Sequence, residues 1–174
     1  MLIRRAEPSD ARGIAEVKVA SWKSAYRGIL PDSLLDNLSV EDNEVRWRAR
    51  IVEHTSKVLV LEQNGRVIGF VASGASRDED VDQKRVGEIV AIYLEPKEWR
   101  RGHGSALVDA AIESLQKEEY TEVTLWVLRD NERGIKFYEA VGFEADGAAK
   151  VVTRKDGTKL PEVRYRRSIW SGQN

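Results

Sequence analysis

Residues Trp99-Arg100-Arg101-Gly102-His103-Gly104-Ser105 place two arginines, two glycines and a hydroxyl directly ahead of a helical pattern. That combination suits a phosphate group. Glycine lets the backbone approach a ligand closely, the first four amides of a helix have no internal acceptor, and the helix dipole is positive at this end. A Walker loop would continue with Lys and Ser or Thr, but Ser105 and Ala106 follow Gly104. A dinucleotide fingerprint would need a third glycine where Leu107 stands. Both nucleotide readings therefore weaken, and a plain strand-to-helix loop stands beside the phosphate reading.

The neighbouring elements would have to hold this turn. Glu88 to Leu94 reads as a strand apolar on both faces, ended by Pro96, and Gly104 to Leu115 as a helix. In that helix Ala106, Leu107, Ala110, Ala111 and Leu115 form an apolar stripe, and Val123, Leu125 and Val127 alternate through a strand over Glu122 to Leu128. Strand, helix and strand at this spacing imply a right-handed crossover and a parallel pair. Upstream, Leu2 to Arg5 reads as a strand. A helix follows, capped by Ser9 or Asp10, and further helices cover Ser33 to Leu38 and Glu41 to His54. Lys57 to Glu62 and Arg66 to Ser73 form a hairpin about Asn64-Gly65. Asp130-Asn131 precedes a helix over Glu132 to Val141, ended by Gly142, and Phe143 to Ala145, Val151 to Arg154 and Val163 to Ile169 are weaker strands. The charged run from Arg77 to Lys84 reads as a solvated loop whose Asp78, Glu79, Asp80 and Asp82 could attract a cationic acceptor.

Composition narrows the class. A chain of 174 residues suits one domain, and 28 basic against 29 acidic residues draw it neither to nucleic acid nor to an anionic membrane. It has no cysteine and only two histidines, His54 and His103, which leaves no thiol nucleophile and argues against a metal site. Met1 to Arg5 lacks a secretion-signal core, so a cytoplasmic location is expected.

The turn at residues 99–104 resembles the Q/R-x-x-G-x-G/A motif of the GCN5-related N-acetyltransferases (GNAT), with Trp99 at the first position. A second stretch, Asn131-Glu132-Arg133-Gly134-Ile135-Lys136-Phe137-Tyr138-Glu139-Ala140-Val141-Gly142-Phe143, looks like the family's N-x-x-A-x-x-F-Y-x-x-x-G-F pattern. Two motifs in the right order are far more specific than either alone. The resemblance implies an α/β fold, a mixed and mostly antiparallel sheet with a splayed central parallel pair flanked by helices. It would occupy residues 1–170, with 171–174 as a tail.

The same resemblance implies the chemistry. Acetyl-CoA is the expected cosubstrate, its pyrophosphate on Arg100, Arg101, Gly102, His103, Gly104 and Ser105, and its pantetheine arm against the main chain of Ile92, Tyr93 and Leu94. His103 contributes its amide more than its ring. Asn131 would meet the coenzyme or cap its helix. Tyr138 matches the acid that protonates the departing thiolate, or else packs as core. An alkyl amine, pKa about 10.4, needs roughly 4 to 5 kcal/mol to lose its proton at neutral pH, so a base is required. Glu88 is the best-placed carboxylate, and an ion pair with an arginine such as Arg85 is the competing reading. Trp22 and Tyr26 are expected on the acceptor side. The implied activity is direct transfer of acetyl to a primary amine, on a small molecule or a protein, with a non-catalytic acyl-CoA sensor as the alternative; homodimers are common in the family.

Overall fold

The computed structural model describes residues 1–170 and 172; of the expected tail, Ser171, Gln173 and Asn174 lie outside the described residues. The chain folds as two compact units, Met1–Gly74 with Ile89–Leu115, and Ala75–Glu88 with Gln116–Asn174. Both are discontinuous in sequence because the chain crosses between them three times, after Gly74, within strand β4 (Val86–Leu94) and after Leu115.

In the first unit, β1 (Leu2–Arg5) leads through a 3-10 turn, Pro8–Asp10, into α1 (Ala11–Ala25), α2 (Asp32–Asp36) and α3 (Val40–Val52). A hairpin of β2 (Lys57–Gln63) and β3 (Arg66–Ala75) follows. The strand order is β1-β2-β3-β4. Asp10 does not cap α1 with its side chain as expected. Its carboxylate is committed instead to the Glu7 amide, accepted at 2.7 Å, and to both terminal nitrogens of Arg4 on β1 at 2.8 and 2.9 Å. Ser39 caps α3 through the Asp42 amide at 3.0 Å. The core joins Ile14 and Val17 of α1 and Trp47 of α3 to Val60 and Phe70 of the hairpin. Trp47 meets Phe70 edge-on at 4.8 Å, and Phe70 meets Tyr93 of β4 at 5.7 Å. After β4 and a 3-10 turn at Pro96–Glu98 comes α4, His103–Lys117, which buries Leu107, Val108, Ala111, Ile112 and Leu115 as the stripe requires.

In the second unit, β5 (Glu122–Leu128), α5 (Glu132–Ala140), β6 (Glu144–Thr153) and β7 (Lys159–Ser168) follow in sequence, and the strand order is β4-β5-β7-β6. β4 and β5 are parallel, with Val86, Gly87 and Glu88 opposite Glu122, Val123 and Thr124. β5 and β7 are antiparallel over their whole length, as are β7 and β6 on either side of an irregularity at residues 145–149. The two short strands expected over 143–145 and 151–154 are therefore one, interrupted by a bulge around Gly147. Val123, Leu125 and Val127 are buried, with Phe143 and Tyr165, on the apolar side of this sheet. Its other side is charged.

Candidate active site

The glycine turn lies in the first unit. Trp99 donates its indole N–H to the carbonyl of Leu94 at 3.2 Å, tying the turn to the last residue of β4. Arg100 and Gly102 both take positive φ, 62° and 80°, which turns the chain sharply into α4. The Ala106 amide bonds the Gly102 carbonyl at 3.1 Å, so the amides of His103, Gly104 and Ser105 precede the first bond of the helix. Arg100, Arg101 and Gly102 are exposed, while His103, Gly104 and Ser105 are partly covered. One carboxylate organises the side chains here. Buried Glu98 accepts from Arg101 at 3.3 Å and lies 3.6 Å from His103 Nε2.

Of the remaining expected residues in this unit, Ile92 and Tyr93 are half-buried and Leu94 is buried. Trp22 and Tyr26 stack edge-on at 5.0 Å at the end of α1, with Tyr26 buried and Trp22 partly open.

The second unit holds the other candidates. Asn131 caps α5, its side-chain oxygen accepting the Gly134 amide at 3.1 Å. A Cβ at Gly134 would collide with the Asn131 amide, which explains glycine where the motif asks for a small residue. Tyr138 sits between Phe137 and Phe143 at 5.3 and 6.2 Å and is half-buried. Glu88 is 1% exposed. Its partner is Arg77, not Arg85: Glu88 accepts the Arg77 backbone amide at 3.0 Å, Nε at 3.1 Å and Nη2 at 2.6 Å. Arg85 lies at the sheet end, where its carbonyl accepts the Thr121 amide at 2.9 Å.

The acidic loop is not simply solvated. Arg164, 5% exposed, donates to Asp78 at 3.1 Å, to Asp80 twice at 2.7 Å and to Asp146 at 2.6 Å. These carboxylates push the Arg164 pKa further up, and the arginine holds the Asp80 carboxyl below the usual aspartate range. Trp126 donates its indole N–H to Asp78 at 3.1 Å, and Lys150 Nζ lies 4.0 Å over the same indole ring. Asp78 and Asp80 are thus neutralised within the chain, and the attraction expected for a cationic acceptor loses them. Sequence reading missed Arg77 and Arg164 because both contacts join distant positions. Among the described residues no cluster of three or more acidic, His or Cys residues could hold a metal, and no helix is long and apolar enough to cross a membrane.

Comparison with known proteins shows the family to which this fold and turn belong. The chain belongs to the acetyltransferase (GNAT) family, whose model matches residues 20–143. The uncharacterised N-acetyltransferase YuaI of Bacillus subtilis is 30% identical over 161 residues, 92% of this chain and 89% of its own. An uncharacterised N-acetyltransferase of Archaeoglobus fulgidus is 30% identical over 79% of this chain and 89% of its own. Among solved structures, the paiA N-acetyltransferase of Thermoplasma acidophilum, in complex with coenzyme A, has a TM-score of 0.75 at 22% identity, covering 96% of this chain and 98% of that one. The yncA protein of Salmonella typhimurium, with its cofactor acetyl-CoA, has a TM-score of 0.72 at 22% identity, covering 100% and 96%. Likeness at that identity establishes the fold, a mixed seven-stranded α/β sheet with its parallel pair at β4 and β5.

Proposed function

We propose that this chain is a cytoplasmic acetyl-CoA-dependent N-acetyltransferase, one domain over residues 1–170, that transfers acetyl to a primary amine by direct attack. The observation that carries the reading is the turn at residues 99–105, with positive φ at Arg100 and Gly102 and three helix-start amides ahead of the first helical bond. Its backbone donors take the pyrophosphate, with Arg100 and Arg101 adding charge at the rim. The pantetheine arm lies along the main chain of Ile92, Tyr93 and Leu94, downstream of the three β4 residues whose register with β5 is Val86 to Glu88. The relatives solved with coenzyme A or acetyl-CoA support that choice of cosubstrate.

In this reading the amine nitrogen attacks the thioester carbonyl, donors near Ile92 stabilise the oxyanion, and Tyr138 protonates the departing sulfur. Asn131 caps α5 and so sets the placement of Tyr138 one to two turns on. Trp22 and Tyr26 line the acceptor side, Trp22 presenting the more open ring. Glu88, the expected base, is paired with Arg77 at 2.6 Å. The acceptor is a small-molecule or protein amine.

Thiol release from acetyl-CoA, measured with a panel of amines alongside calorimetric coenzyme binding, tests this. Tyr138→Phe should lower kcat about 100-fold, the low end for general acid catalysis, with coenzyme Kd within threefold of wild type. Unchanged thiol release in that variant would remove Tyr138 from the mechanism. Absence of any coenzyme binding would sink the transferase reading altogether.

A further inference from the structure

His103 is the first residue of α4, and its amide is one of the three that precede the first helical bond. Its ring makes a separate contact. Nε2 lies 3.6 Å from a carboxylate oxygen of Glu98, and the two side chains are only 12% and 8% exposed. Glu98 belongs to the 3-10 turn Pro96–Glu98, so this contact ties the two ends of the phosphate turn together. A buried carboxylate this close to an anion-binding turn repels the charge that the turn is shaped to hold, unless a cation covers it. Arg101 offers one at 3.3 Å, but its side chain is 61% exposed and its charge is screened. Glu95, the other buried carboxylate of this segment, is already held by Arg66 and Lys97. For Glu98 the covered counter-charge is the ring of His103.

An imidazole gains or loses its charge in the physiological pH range when its surroundings change modestly. The charged groups gathered at this end of α4 are Glu98 and Lys97 of the 3-10 turn, Arg100 and Arg101 of the loop, and Glu95 with its partner Arg66 of β3. Glu98 favours a protonated ring. The loop arginines and the positive end of the helix oppose it, and the first turn of α4 holds no acidic residue to offset them. A pyrophosphate on the turn acts in one direction only. It rests on the amide of the same residue, inside the roughly 8 Å over which charges stay coupled at physiological salt, and it offsets arginines and dipole together.

Resting on the transferase reading above, we propose that coenzyme binding draws a proton from solvent onto the His103 ring, with Glu98 as its fixed counter-charge. Glu98 is then a positioning residue, which acts on the coenzyme only through His103 and Arg101. Binding linkage is reciprocal, so the proton that the coenzyme draws in tightens the coenzyme to the same degree. The sign follows from the bound state holding the proton more firmly than the free one. Affinity is greatest in acid, where both states carry the proton, and it falls as pH rises through the free and then the bound midpoint.

Calorimetric titration of the full chain with coenzyme A, in two buffers of different ionisation enthalpy, counts the protons exchanged. Net uptake is expected. The coenzyme's own phosphate monoester, with a second pKa of about 6, can only release a proton on being held as the dianion, so net uptake belongs to the protein. Between about pH 6 and pH 8 the wild-type Kd should rise roughly fivefold relative to that of His103→Gln, the low end of couplings between two ligands. Nitrogen-15 NMR of labelled histidine gives a readout that needs no site variant, because the chain has only two rings, His103 and exposed His54, which His54→Gln tells apart. Saturating coenzyme A should raise the His103 midpoint, and Glu98→Gln should lower it with and without coenzyme. A His103 midpoint that stays or falls on binding overturns the proposal while leaving the transferase standing, and an unchanged midpoint in Glu98→Gln removes Glu98 as the counter-charge. A wild type that binds no coenzyme removes the transferase reading instead.

Discussion

The glycine turn and the charged sheet face both set cations against carboxylates, yet they are built by opposite means. In the turn, Glu98 meets Arg101 three positions on, and the Arg101 side chain remains 61% exposed. On the sheet face, Arg164 reaches back 84 and 86 positions to Asp80 and Asp78, and its side chain is 6% exposed. Exposed charge pairs are screened and contribute little, so the turn must owe its geometry to backbone conformation. A buried arginine among three carboxylates is different. Removing it takes the nearest counter-charge from Asp78 and Asp146, whose side chains are only 13% and 14% exposed. One region binds with its main chain, whereas the other is held in shape by its side chains.

Three substitutions would break or sharpen that contrast. Arg164→Met should have the largest effect, a loss of about 3 to 5 kcal/mol, as for breaking other buried ion pairs. Thermal melting should register it as a drop of roughly 10 °C for a chain of this size. The Asp80 pKa is lowered in the fold, so its share of the stability is fully present above the ordinary aspartate value of 3.8 and is lost as pH falls through the lowered value. The gap between wild type and variant should therefore narrow in acid, and a constant gap would mean the arginine acts by packing alone.

Gly102→Ala comes next. An added Cβ at Gly102 meets no atom within 4 Å, so the cost is the strain of φ +80° alone. About 1 to 2 kcal/mol is expected for a non-glycine residue there; the free turn should relax out of this conformation and have to regain it on binding, read by calorimetry as a roughly 10-fold rise in coenzyme Kd. The smallest change belongs to Arg101→Gln, with Kd altered less than about threefold at physiological salt and the melting midpoint unmoved. If Arg101→Gln proved costlier than Gly102→Ala, side-chain charge and not backbone would carry the phosphate.

The same contrast decides how much could be read from the chain. The helix of residues 103–117, the strand at 122–128 and the hairpin turn at Asn64-Gly65 follow from periodicity and local turn chemistry, and they stand within one or two residues of expectation. The Trp99 position looked like a departure from the family motif, but its indole bonds the end of β4, so the turn is anchored differently. The run Arg77 to Lys84 is largely exposed, as its charge implies, but no pattern within it shows that Arg164 and Trp126 claim Asp78 and Asp80.

What the sequence determined by itself is what depends on neighbours in the chain: the phosphate turn, the motif helix with its Asn131 cap, the family and the order of elements. Each is set by φ preferences, unpaired helix amides and side-chain periods that act over a few residues. Only the tertiary structure decided that Glu88 belongs to Arg77 and that Arg164 gathers three aspartates. Strand register set those pairings, and register is fixed by packing and hydrogen bonding across strands, not by anything written near Glu88 or Arg164 in the chain.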